Sequence, residues 1–206
     1  MKRIFALVLV FASLLGIEKT MAQLPTAAPD ISPLLIGETV PDAQLVNTKG
    51  QTLSFYSLLQ EKPTIVIFYR GDWCFNCINH FKEEIVPHLA DIQKLGYNLV
   101  SISPDSPENL IKSSGQTGID QSTFFQDGDG TLSIGMGLAW QQGDRLMQMI
   151  KQSSGGKNTI GFLPVPAVYV IGIDQKVLFE YINPNGPQSS LRMKGDLLMA
   201  VLKTLK

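Results

Sequence analysis

Cysteine is nearly absent from this chain: 206 residues contain two, Cys74 and Cys77. That excludes a disulfide-stapled scaffold and any all-cysteine metal cluster. Histidine is as scarce, with His80 and His88 alone. Cys74, Cys77 and His80 are ligand residue types, but zinc wants four ligands and no second cluster completes the set. No metal is expected, and both histidines read as exposed helix positions. Charge imbalance is missing too. Lys and Arg number 17 against 18 Asp and Glu, for a net charge of −1. Nucleic-acid binding, which wants a basic face, is not expected. Beyond the first residues there is no apolar run of the ~20 residues that span a bilayer. No internal repeat or low-complexity tract stands out.

What is present begins with an export signal. Lys2 and Arg3 precede an apolar stretch from Ile4 to Gly16, and Thr20-Met21-Ala22 offers the small residues a signal peptidase reads. Residues 1–22 are therefore expected to be cleaved off, with the mature protein in the periplasm and no stable membrane insertion. No cysteine follows the apolar stretch, so lipid attachment is excluded. Residues 23–35, with three prolines, read as an extended leader, and residues 36–206 as one domain.

The two cysteines then gain meaning. They sit three apart in Phe68-Tyr69-Arg70-Gly71-Asp72-Trp73-Cys74-Phe75-Asn76-Cys77, after an apolar run and before a helical pattern. A lone pair in an oxidising compartment reads as a disulfide. A loop this short restricts little chain, so its value as a staple is low and a redox role is favoured. Helix N–H groups stabilise a thiolate at the first cysteine, where pKa values fall to roughly 3.5–7.5.

The remaining pattern alternates strands and helices, as an α/β layered fold does. Ala43–Asn47 and Gln51–Phe55 form a hairpin around Thr48-Lys49-Gly50, and Thr64–Tyr69 a strand buried on both faces. Phe75–Leu95 reads as one long helix, with Ile78, Phe81, Ile85, Leu89 and Ile92 on one stripe and Gly96 ending it. Asn98–Ser103 is a second buried strand. Ser106-Pro107 opens a helix. Ser122–Gln126 is a short strand, and Asp127-Gly128-Asp129-Gly130 a turn with a helix cap. Asp144–Gln152 reads as an inserted helix and Ser153–Lys157 as a loose loop. Ala167–Ile173 and Lys176–Ile182 pair antiparallel, and a helix over about Lys194–Leu205 closes the chain. Met136, Met147, Met149, Met193 and Met199 read as core fillers, and Trp140 as packing.

Leu163-Pro164-Val165-Pro166-Ala167 adds the second motif. Here the chain resembles the thioredoxin superfamily, in which a strand–CxxC–helix unit faces a cis-proline loop. Pro166 matches that proline, and Val165 the residue whose backbone pairs with a bound substrate strand. The chain resembles still more the peroxiredoxin-like branch of the alkyl hydroperoxide reductase/thiol-specific antioxidant group, with its Phe-Tyr-Arg-Gly-x-Trp-Cys-x-x-Cys signature. Ile36–Asp42, Ser101–Asp105 and Phe179–Pro184 support it. The resemblance implies a thioredoxin-like fold: a central mixed sheet flanked by helices, with an N-terminal hairpin extension.

The departures bear on the chemistry. A peroxiredoxin site resembles Pro-x-x-x-Thr-x-x-Cys plus a later arginine. With Cys77 at the peroxidatic position, Arg70 replaces the proline, Cys74 the threonine and Pro166 the arginine. The resemblance therefore implies an exported thiol–disulfide oxidoreductase. In it Cys74, expected to be the more exposed sulfur, attacks a protein or small-molecule disulfide and Cys77 resolves the mixed disulfide. A redox partner completes the cycle, and no cofactor is called for. Trp73 would shield the site. Arg70 reads either as a support for the Cys74 thiolate or as a surface charge. Peroxide reduction with Cys77 as nucleophile is the first alternative, and a non-catalytic binding module the second. The position where thioredoxins bury an aspartate holds Phe68, so no proton acceptor for Cys77 is identified. Glu83 and Glu84 read as solvated helix charges, one of them a potential proton relay.

Overall fold

The computed structural model describes residues 23–158, 160–182 and 192–206. The signal reading of residues 1–22 lies outside them. In chain order the strands and helices are β1 (Gln44–Asn47), β2 (Thr52–Ser54), β3 (Thr64–Phe68), α1 (Phe75–His80), α2 (Leu89–Lys94), β4 (Asn98–Ser103), α3 (Pro107–Thr117), β5 (Phe124–Gln126), α4 (Thr131–Gly135), β6 (Ala139–Gln141), α5 (Asp144–Ser153), β7 (Phe162–Pro164), β8 (Ala167–Ile171), β9 (Val177–Ile182) and α6 (Gly195–Thr204). Seven strands form one mixed sheet in the order β2-β1-β5-β4-β3-β8-β9. β3 lies at its heart, parallel to β4 and antiparallel to β8. The N-terminal hairpin extends the sheet through β1, which pairs with β5.

The unbroken apolar run of β3 has a simple cause, since all five residues are buried. Ile65 and Ile67 face a core that also holds Cys74, Cys77, Phe81 and Leu198. Val66 and Phe68 face a second core on the other side, with Phe55, Ile102 and Tyr169. A central strand covered on both faces has no polar side to show.

Three expectations need correction here. The long helix from Phe75 to Leu95 is interrupted. α1 ends at His80, a π-helical turn spans Phe81–Ile85, and a 3₁₀ turn at Val86–His88 leads into α2. Pro87 lacks the N–H an α-helix needs, and its ring excludes the carbonyl one turn back. The wide turn absorbs the conflict, so Ile78, Phe81, Ile85 and Ile92 still point into the core. The leader is also more than extended chain. The Leu34 amide donates to the Met136 carbonyl (3.2 Å) and the Gln141 amide to the Pro25 carbonyl (2.8 Å), strapping residues 25–34 onto the body. The insert between α4 and β8, read as a helix and loop, also contains an antiparallel β6–β7 pair.

Asp127 caps α4 as the turn predicts, accepting the Leu132 and Ser133 amides (3.1 and 2.8 Å). Glu84 does not reach back toward the cysteines. Its Oε2 accepts the Gly195 amide (2.8 Å) and its Oε1 the Lys194 ammonium (2.6 Å), which pins the start of α6 against the π-helical turn. That contact also positions Arg192 and Met193, which immediately precede α6. Glu84→Ala should cost about 1 kcal/mol of stability, the usual worth of a helix cap. A denaturant midpoint left in place would show the contact to be idle.

Candidate active site

The end of β3 turns sharply to present the cysteines. Gly71 has φ 140°, a conformation that L side chains avoid. A Cβ there would stand 2.6 Å from the Trp73 indole nitrogen and 2.7 Å from the Asp105 carboxylate. Asp105 follows β4, and its Oδ2 accepts the Asp72 amide (2.7 Å) while the Cys74 amide donates to the Gly71 carbonyl (3.1 Å). These bonds fix the turn that places Cys74 at the N-cap of α1. Asp105 is fully buried, and desolvation, followed by the neighbouring Asp72 charge, pushes its carboxyl up to about 7.

Cys74 and Cys77 form a disulfide with Cα atoms 5.2 Å apart. The Cys77 amide donates to Cys74 Sγ (3.3 Å), and Arg70 Nη2 donates to the same sulfur (3.2 Å). Arg70 lies over the Trp73 ring, 5.6 Å from its centroid, and burial leaves it 8 % exposed. It is thus not a surface charge. Burial lowers its pKa, yet no carboxylate among the described residues lies within ion-pair distance of it.

A second arginine stands at the other sulfur. Arg192 Nη2 lies 3.8 Å from Cys77 Sγ, and the residue is 9 % exposed. Desolvation, then the charge of Arg70, brings its pKa down to about 10. The sequence reading missed Arg192, which sits 115 residues after Cys77 in no motif. It missed a role for Asp105 too, although Ser101–Asp105 stood among the family stretches.

Three expectations for the site are corrected. Cys74 is not the more exposed sulfur: both cysteines are 2 % exposed, and Trp73 packs against the core that contains them. The peptide before Pro166 is trans, as are all others among the described residues. Pro166 is buried before β8 and lines, with Cys77, His80 and Arg192, a cavity of about 10 Å³, room for one water-sized molecule. The Val165 backbone is already engaged. Its amide donates to the Leu138 carbonyl (2.9 Å) and the residue is wholly buried, so that amide is not free to pair with a docking strand.

His80 is likewise not an exposed helix residue. It is 7 % exposed, its Nε2 lies 2.9 Å from the Met193 carbonyl, and desolvation lowers its pKa to about 4. It is neutral at pH 7, which leaves the guanidinium groups as the positive charges close to the sulfurs. The most exposed large apolar side chain among the described residues is Phe75, 74 % exposed directly after Cys74.

Comparison with solved structures finds the same frame. Reduced Prx3 from Vibrio vulnificus in complex with hydrogen peroxide superposes with a TM-score of 0.67 at 16% identity, covering 82% of this chain and 96% of that one. Peroxidoxin BcpB from Mycobacterium tuberculosis gives 0.60 at 20% identity, covering 82% and 95%. AhpC from Enterococcus faecalis gives 0.58 at 18%, covering 82% and 91%. Identities this low speak to the fold alone. A sequence search among curated proteins gave no match. The AhpC/TSA family model matches residues 36–179, a span that runs from just after the strap through the dithiol turn and Pro166 into β9. With most of its length matched and a CxxC disulfide at the end of β3, the chain belongs to the AhpC/TSA family of redox enzymes acting on thiols or peroxides.

Proposed function

We propose that the chain reduces small oxidants, hydroperoxides foremost, through the Cys74–Cys77 dithiol. The observation that carries this is access. Both sulfurs are 2 % exposed, and the cavity beside Cys77 has room for about one water-sized molecule. A protein disulfide cannot approach such a sulfur, and the Val165 amide that would pair with its strand is bonded to Leu138. Cys77 thiolate attacks the peroxide oxygen, releasing the alcohol or water and leaving a sulfenic acid. Cys74 thiolate then attacks the Cys77 sulfur, water departs, and the disulfide forms. An external dithiol, or two thiols in succession, restores the pair and leaves as a disulfide. Arg192 holds the Cys77 thiolate ready, in place of the arginine that Pro166 displaces.

A second reading, exchange with a substrate disulfide begun by Cys74, is favoured by one observation. Arg70 and the Cys77 amide both converge on Cys74 Sγ, the better-stabilised thiolate position. The purified protein, given hydrogen peroxide or a protein disulfide with dithiothreitol as reductant, decides between them. The expected result is peroxide consumption with matching disulfide formation, and protein-disulfide reduction no faster than with dithiothreitol alone. The reverse pattern overturns the proposal. We also infer export, on the basic start and apolar stretch of residues 1–22. Mass spectrometry of the purified protein from cells should find an N-terminus at Gln23.

A further inference from the structure

We propose that the disulfide form binds a small inorganic anion beside Arg192 and Cys77, within the field of Arg70, and that reduction expels it. Two guanidinium groups, 8 % and 9 % exposed, donate to adjacent sulfurs and feel each other's charge. Neither has a carboxylate within ion-pair distance among the described residues, and residues 183–191, which lead into Arg192, contain no Asp or Glu. Arg70 Nε and Arg192 Nε and Nη1 are buried without a hydrogen-bond partner. Buried cations without a counter-charge are costly, so the site demands an anion.

That demand depends on redox state. In the dithiol form a thiolate supplies the negative charge, and Cys74 Sγ already lies 3.2 Å from Arg70 Nη2 in the disulfide form. In the disulfide form neither sulfur is charged, and two positive charges stand uncompensated. The room beside Cys77 and Arg192, about 10 Å³, holds no more than one small monatomic ion and excludes a bulky one; Arg70 does not line it and acts on it through its charge. The half-reaction balances as follows: disulfide with bound anion, plus two electrons and one proton, gives one thiol, one thiolate and the released anion. The neighbouring groups do not cancel this logic. His80 is neutral at pH 7, and Glu84 is committed to Lys194 and Gly195.

A ligand that binds only the oxidised form shifts the equilibrium in proportion to its concentration once it exceeds its dissociation constant. Each tenfold rise in anion then raises the oxidised-to-reduced ratio about tenfold, equivalent to a fall of ~30 mV in potential. The inference rests on the dithiol–disulfide cycle proposed above but not on peroxide. The equilibrium is read without turnover, so a protein inactive toward peroxide can still pass.

The test equilibrates the full chain in a dithiothreitol redox buffer at pH 7 and constant ionic strength, with chloride replacing gluconate. Thiol alkylation and mass spectrometry read the oxidised fraction. The ratio should climb with chloride in the wild type and stay flat in Arg192→Gln. Lys94→Gln, which removes an exposed surface charge, should respond as the wild type does. A wild-type ratio constant within about twofold from about 5 to 500 mM chloride overturns the proposal. Loss of the response in Lys94→Gln overturns it equally, because the effect would then be general screening. Should Arg192→Gln fail to fold, chloride NMR line broadening by the oxidised wild type must vanish on reduction. Broadening that survives reduction also defeats the proposal.

Discussion

Cys77→Ser is expected to lower peroxide turnover by a factor on the order of 10³ or more, the usual consequence of removing a nucleophile. Cys74→Ser should separate the steps instead. Its Cys77 thiolate still meets peroxide beside Arg192, so the first turnover survives as a sulfenic acid that a dimedone-type probe traps. Steady-state turnover then collapses, because no neighbouring thiolate attacks the Cys77 sulfur to form the disulfide that the external reductant normally resolves. Stopped-flow peroxide consumption combined with intact mass reads both outcomes. Peroxide activity that survives Cys77→Ser but dies in Cys74→Ser would make Cys74 the nucleophile. That result would return weight to the arrangement in which Arg70 and the Cys77 amide serve the attacking sulfur.

Much of the frame was legible because its signals are local. The β3 run, the hairpin turn at Thr48-Lys49-Gly50, the Gly96 stop and the paired strands around Asp174-Gln175 each depend on a few neighbouring residues. The helix break at Pro87 was equally visible, yet the apolar stripe runs straight across it, because the π-helical turn keeps Phe81 and Ile85 facing inward. Periodicity reports which face is buried, not whether the hydrogen-bond ladder is continuous.

The site was legible only in its covalent half. Cys74, Cys77 and Arg70 are neighbours in sequence, and their proximity follows from the turn at Gly71. Arg192 reaches Cys77 because Glu84 pins the start of α6, a contact between residues 110 apart that leaves no periodic trace. The engaged Val165 amide depends in the same way on Leu138, a residue of the insert. Burial of the sulfurs is a property of the assembled core, so a CxxC at a helix start reads the same whether it is open or covered. What separates a disulfide-exchange site from a covered peroxide site is therefore carried by long-range contacts, here the insert and Arg192.

Asp105→Asn should change the pH dependence of stability more than any surface substitution. The wild-type carboxyl, 0 % exposed, titrates near 7 in the folded protein against 3.8 as its ordinary value, chiefly through desolvation. A raised folded pKa means that the native state holds the proton more tightly than the unfolded chain. The associated stability is complete below about pH 3.8 and is lost as pH rises through about 7. Three units correspond to about 4 kcal/mol. The groups around it set the balance: the Asp72 carboxyl adds to the shift, while the Asp72 amide and Lys112 oppose it. Asparagine keeps an acceptor for the Asp72 amide and carries no charge to desolvate, although its own N–H groups then need acceptors. The variant should be more stable than wild type by about 2 kcal/mol at pH 8 and no more stable at pH 4. Urea unfolding across that range reads the difference directly. A gain equal at both ends would show that the Asp105 carboxyl ionises in the folded protein as it does in the unfolded chain, with no raised pKa. The turn that presents Cys74 would then be held by an anion across most of that range rather than by a carboxyl that stays protonated up to about pH 7.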